Sequence, residues 1–126
     1  MSGITYDTGA LLAAERDERR IWVLHRRTLG RGQSPTVPAG VLGQAWRGGP
    51  QPQLSRLLAG CQVEKLSEDR ARAAGSLLAA ARRSDLIEAT VVVGALARED
   101  AVVSSDRADI EALLAPSRKR VQIVDA

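Results

Sequence analysis

Residues 3–13 read GITYDTGALLA, and residues 101–107 read AVVSSDR. Each starts as a short apolar stretch and then meets an aspartate where a helix-forming run begins. Gly3 to Tyr6 reads as a strand, and Thr8 to Ala14 as a helix that Asp7 is placed to cap. Ala101 to Val103 reads as another strand, and Asp106 is placed to cap a helix from Arg107 to Leu114. Short apolar strands, each followed by helix, predict a parallel sheet covered on both faces.

The residues between these two stretches extend the pattern. The apolar positions Ile21, Trp22, Leu24 and Leu29 fit a helix, and Gly30, Gly32, Ser34 and Pro35 break it into a loop. Thr36 and Val37 suit a very short buried strand. Pro38 suits the first turn of a helix over Ala39 to Arg47. Leu54, Leu57 and Leu58 have helical spacing that Gly60 ends, and Cys61 to Leu66 alternates as a strand does. Ser67 caps a predicted helix from Glu68 to Ala81, and Ser84 or Asp85 caps another from Leu86 to Arg98. Val121, Ile123 and Val124 make a last strand. The expected fold class is therefore α/β, with residues 1–126 forming one domain.

Composition narrows the chemistry. The chain is 44% hydrophobic and 26% charged, which suits a folded protein and argues against disorder. With no Phe, one Tyr and two Trp, its core must be built from Val, Leu, Ile and Ala. No apolar run approaches the roughly 18 residues that span a membrane. The start, MSGITYDTGALL, lacks the basic region of a signal peptide, so a cytoplasmic location is expected. A single cysteine, Cys61, excludes an internal disulfide framework and a cysteine zinc cluster, and a single His25 excludes sites needing several imidazoles. A metal site in this chain must be built from oxygen.

The net charge of +3 hides an asymmetry, because residues 1–60 carry 8 basic and 4 acidic side chains. The excess is the cluster Arg16, Arg19, Arg20, Arg26, Arg27 and Arg31, which reads as a solvated helix face or as an attractor of polyanions.

In open α/β sheets, ligands bind beyond the carboxyl ends of the strands. Asp7 and Asp106 both follow strands, so both belong at that edge. Asp85 opens a long helix, and Glu88 lies three residues on along the same face. Carboxylates converging there repel one another unless a cation joins them, and an all-oxygen set suits Mg²⁺ or Mn²⁺. Taken singly, each aspartate is equally well explained as a helix cap.

The runs YDTGALLA (6–13), VPAGVLGQAWRG (37–48), SDLIEAT (84–90) and VVSSDRADI (102–110) resemble the sequential motifs of the PIN domain. The likeness is strongest to the small ribonucleases that act as VapC-type toxins of toxin–antitoxin pairs, and it covers nearly the whole chain. It implies a PIN-like three-layer α/β/α sandwich with a short, mostly parallel central sheet. It implies a divalent-metal-dependent endoribonuclease, hydrolysing RNA phosphodiesters as the toxin of a type II system. Carried over by position, Asp7, Asp85 and Asp106 are the catalytic and metal-binding acids, with Glu88 as a further ligand. Thr8 and Ser104 fall where the family places hydroxyls, and Asp109 is a supporting acid. Arg47 and Arg107 are candidates for gripping RNA phosphates. The implied partners are the RNA substrate, a small antitoxin protein and a second copy of the chain. The helices Ile21–Leu29 and Leu54–Leu58 carry apolar positions suited to such interfaces.

One departure stands out. Gln44 occupies the position where the family has a glutamate. The alternative reading is thus a PIN-like RNA- or metal-binding module with little turnover. Elsewhere the expectations are plain: His25 on the surface, Cys61 a small buried apolar residue, and Trp22 and Trp46 in the core or a dimer interface.

Overall fold

The computed structural model describes residues 3–126. Met1 and Ser2 lie outside the described residues. Five short strands form one sheet: β1 (Ile4–Tyr6), β2 (Thr36–Pro38), β3 (Gln62–Glu64), β4 (Ala101–Ser104) and β5 (Ile123–Asp125). Their spatial order is β3-β2-β1-β4-β5, and every pair is parallel. The expected "mostly parallel" sheet is therefore wholly parallel among the described residues.

Seven α-helices connect the strands: α1 (Thr8–Glu15), α2 (Arg19–Gly30), α3 (Ala39–Ala45), α4 (Pro52–Leu58), α5 (Glu68–Ala81), α6 (Leu86–Arg98) and α7 (Arg107–Leu114), with a 3₁₀ turn at Ala115–Ser117. The order of strands decides where they lie. From β1 the chain steps to β2 and β3 on one side, then crosses back to β4 and β5 on the other. Right-handed crossovers must place the helices of these two excursions on opposite faces. Accordingly α1 packs against α2 and α4, whereas α5, α6 and α7 pack together. The result is a three-layer α/β/α sandwich. The connections leave in opposite directions between β1 and β4, which pair through Ile4–Ala101, Thr5–Val102 and Tyr6–Val103. A crevice opens at such a switch point, beyond the carboxyl ends of the strands.

The core matches the residue inventory. Leu11, Val37, Val41, Val92, Val102 and Ile110 are wholly buried, and Tyr6 is the aromatic at its centre. Close-packed aliphatics of this kind leave each buried Leu or Ile about 2 kcal/mol better off than in water. Ile21, Trp22, Leu54 and Leu57 are also in this core, so these positions of α2 and α4 are spent inside the fold, while Leu29 on α2 stays exposed. Trp22 donates its indole N–H to the Ala14 carbonyl at 3.2 Å. Trp46, by contrast, follows the end of α3 and is largely exposed.

Four local expectations need correction. Pro38 ends β2 and does not sit in the first turn of α3. As the last strand residue it needs a fixed φ more than an N–H. The helix after it also stops at Ala45, short of Arg47. His25 is buried and not on the surface. Its Nδ1 shares a hydrogen bond with the Tyr6 hydroxyl at 2.9 Å, and its ring meets Trp22 edge-on. Burial lowers its pKa, which favours the neutral imidazole. Asp106 stands at the N-cap position of α7, where the Asp109 amide acts on its carboxylate without forming a full cap hydrogen bond. Cys61 is half-buried, its thiol donating to the Leu57 carbonyl at 3.3 Å, and burial pushes its pKa up to about 12.

Candidate metal centre

The crevice between β1 and β4 is a cleft of about 160 Å³. Asp7, Asp85, Glu88 and Asp106 line it, with Thr8, Gln44 and Ser105 beside them and Val41, Ile87 and Val91 as its apolar wall. Three places in the chain thus supply its acids: the end of β1, the start of α6, and the turn from β4 into α7.

Asp7 is held most firmly. Its amide donates to the Val103 carbonyl at 3.1 Å, continuing the β1–β4 ladder for one residue. Its Oδ1 accepts the Ala10 amide at 2.9 Å, capping α1. The Ser104 hydroxyl and the Ser105 amide also hydrogen-bond its carboxylate. Burial nevertheless dominates and raises the Asp7 pKa, with the charge of Asp106 adding to the rise. The cap and the site are therefore one residue: one oxygen closes the helix while the carboxylate faces the cleft.

Gly9 is what lets these elements meet. A Cβ built there would lie 1.8 Å from the Ser105 Oγ, an impossible approach. Only glycine allows the first turn of α1 to press against the turn after β4. Ser104 serves both sides of that contact, because its Oγ also accepts the Asp106 amide at 2.9 Å.

Asp85 caps α6 through the Glu88 amide at 3.0 Å. Carboxylate oxygens of Glu88, Asp106 and Asp109 all lie within 4.8 Å of one another. Glu88 is pushed up to about 7, first by burial and then by repulsion from Asp109, Asp85 and Asp106; Arg83 opposes the rise. Asp106 is raised because it hydrogen-bonds Asp109, and Asp109 is lowered by that bond and by Arg83. Arg83 binds Asp109 at 2.7 Å.

Arg83 is the feature the sequence reading missed, whereas Asp109, expected as a supporting acid, lies beside Glu88 and Asp106. Arg83 lies 26 positions from Asp109 and ends a helix, where a cation has a ready local explanation. Asp109 at three residues from Asp106 was the available signal. The other candidates are arranged as follows. Thr8 donates its hydroxyl to the Gln44 Oε1, closing one rim of the cleft. Arg47 turns back to the Trp46 carbonyl at 2.8 Å. Arg107 reaches the Ile123 carbonyl at 2.8 Å and Asp125 at 3.3 Å. Neither Arg47 nor Arg107 lines the cleft.

The donor set fits a hard divalent cation. All its members are oxygens, and Asp7, Asp85, Glu88 and Asp106 have no ion-pair partner among the described residues; burial first, and then repulsion from neighbouring carboxylates, raises Glu88 and Asp7. Mg²⁺ keeps some of its waters, so it does not need a complete protein cage.

No family model and no curated protein matches the chain. A solved structure does match its fold. The crystal structure of VapBC2 from Rickettsia felis, bound to a DNA fragment from their promoter, superposes with a TM-score of 0.70 over 98% of this chain and 98% of that one, at 12% identity. The architecture is thus the PIN-like α/β sandwich. At that identity the likeness is one of fold.

Proposed function

We propose that this protein is a divalent-metal-dependent endoribonuclease of the VapC kind, using Mg²⁺ or Mn²⁺ to hydrolyse RNA phosphodiester bonds. The observation that carries the reading is the convergence of Asp7, Asp85, Glu88 and Asp106 on one cleft at the sheet's switch point. Asp7, Asp85 and Asp106 are the catalytic acids, and Glu88 joins them in holding the cation. When bound, such an ion lowers the pKa of a coordinated water and offsets charge on a phosphate. The chain's own work is positional. Ser104 and the Ala10 amide fix the Asp7 carboxylate, and Asp85 is fixed by the Glu88 amide. Arg83 holds Asp109 and leaves Asp106 to face the cleft. Val41, Ile87 and Val91 keep one wall dry, which strengthens every charge interaction inside.

The same reading makes the chain the toxin of a type II toxin–antitoxin pair, cytoplasmic, homodimeric and bound by a cognate antitoxin. What supports this is the fold shared with VapBC2. No helix among the described residues is long and apolar enough to cross a membrane. RNA binding should rest on phosphate contacts, given the scarcity of aromatics, and should fall steeply with salt.

A second reading is favoured by one observation. Gln44 is neutral and adds no charge to the cleft, and its carbonyl oxygen is already taken by the Thr8 hydroxyl. A PIN-like module that binds metal or RNA with little turnover would be built this way. Incubating the protein with RNA and Mn²⁺, beside Asp7→Asn, separates the two. Cleavage by the wild type that Asp7→Asn abolishes supports the nuclease. Cleavage persisting in Asp7→Asn overturns the assigned site, and metal binding without cleavage favours the module.

A further inference from the structure

A second concavity, about 560 Å³ and larger than the acidic cleft, lies between α7 and the approach to β5. Its chemistry is different. Arg118, Lys119 and Arg120 stand on its rim, and Leu114, Val121 and Ile123 form its aliphatic lining. All three cations are exposed, and none of them has a carboxylate partner among the described residues. Glu111 is the one acid lining the groove.

The groove borders an open sheet edge. β5 is the last strand of the sheet and pairs only with β4 among the described strands. The Gln122 carbonyl and the Ala126 amide face β4. Strand alternation therefore turns the Ile123 and Asp125 backbone groups outward. Arg107 covers the Ile123 carbonyl, but the outward amides of Ile123 and Asp125 have no partner among the described residues. Unpaired edge amides are a template for an incoming strand.

We infer that this groove docks an extended segment of a partner protein, rich in Asp and Glu and carrying aliphatic side chains at alternate positions. The cations at 118–120 select the acidic positions, the aliphatic lining takes the others, and the β5 edge receives the backbone. A nucleic acid would use the cations alone and leave the lining unsatisfied. The inference does not depend on whether the acidic cleft is a nuclease.

The probe is a fluorescein-labelled peptide of alternating Glu and Val, titrated in EDTA and read by anisotropy. Wild type should bind it. The triple variant Arg118→Ser, Lys119→Ser, Arg120→Ser should weaken binding at least tenfold while keeping the wild-type circular dichroism. A Glu–Ser peptide should bind at least tenfold more weakly than the Glu–Val one. Peptide binding should shift the Ile123 and Asp125 amide resonances and slow their exchange. Unchanged affinity in the triple variant overturns the proposal. So does equal binding of the two peptides, or binding of an oligouridylate in place of either, which would mark a general polyanion patch. Should the triple variant misfold, Lys119→Ser alone and the two amide resonances carry the same decision.

Discussion

Arg98 ends α6 and reaches three partners: Asp100 at 3.0 Å, the Thr5 hydroxyl at 2.8 Å, and Glu64 on β3. Thr5 donates to Asp100 at 2.8 Å, and Arg70 meets the other oxygen of Glu64 at 3.2 Å. Two guanidinium groups thus face two carboxylates, and the cluster closes on itself. The acidic cleft near the other end of the same helix is assembled differently. Asp7, Asp85, Glu88, Asp106 and Asp109 have Arg83 as their ion-pair partner, and it serves Asp109. Both clusters stand against the same sheet in the same small chain. One is neutral and satisfied by the protein; the other is charged and asks for something from outside. The difference separates a group of charges that maintains a fold from a group arranged for a ligand.

Breaking the neutral cluster should have the largest effect on stability. Arg98→Met leaves Asp100, itself 9% exposed, and Glu64 without their main partner. Removing one member of a buried pair costs about 3 to 5 kcal/mol, and the partial exposure of Arg98 and Glu64 brings this to about 3 kcal/mol. Urea unfolding of the metal-free protein measures it. A loss below about 1 kcal/mol would mean that the network is ornamental and the comparison empty.

The acidic cluster should answer to cations. Mn²⁺ at a hundredfold excess over its Kd should stabilise the wild type by about 2.7 kcal/mol, read as a rise in melting temperature. Asp7→Asn should lose most of that rise. Arg98→Met should start from a lower melting temperature yet keep the whole rise, because its cluster is not the one that binds. Equal loss in both variants would show that the two regions are not independent.

Gln44 sharpens the comparison further. Gln44→Glu adds a carboxylate to the rim and removes the neutral acceptor of the Thr8 hydroxyl. It should tighten Mn²⁺ about tenfold, or about 1.4 kcal/mol, in calorimetry. Unchanged affinity would place residue 44 outside the ligand shell.

These two clusters differ in how far the sequence exposes them. The strands and helices were legible because each apolar stretch is followed by its own cap or breaker, as in Ile4–Asp7 and Val63–Ser67. The acids of the cleft were legible because three of them sit at strand or helix ends, where topology alone brings them to one edge. The neutral cluster was not. Residues 5, 64, 70, 98 and 100 have no shared spacing, and Arg98 and Glu99 look like an ordinary helix terminus. The same limit hid His25, whose buried Nδ1 is satisfied by the hydroxyl of Tyr6, nineteen residues away. A cap can be read from one segment; a pair cannot be read until the fold supplies its second half.

The smallest effect tests the combined cost of burial and charge repulsion at Glu88. The Glu88 pKa rises from its ordinary value of 4.5 to about 7 in the folded, metal-free protein. The folded state therefore binds this proton more tightly than the unfolded state does. The associated stability is fully present below about pH 4.5 and is lost as pH rises through about 7. Glu88→Gln, which cannot ionise, should be more stable than wild type at pH 7.5 in EDTA. Because Glu88 is half-exposed, solvent screening reduces the gain to about 1 kcal/mol. The advantage should vanish at pH 4.5. His25, whose pKa is lowered, gives a slope of the opposite sign below about pH 6.5, but it is common to both proteins and cancels in the difference. A variant no more stable than wild type at pH 7.5 would mean that neither burial nor the neighbouring carboxylates penalise the charged Glu88, and the case for a cation there would weaken with it.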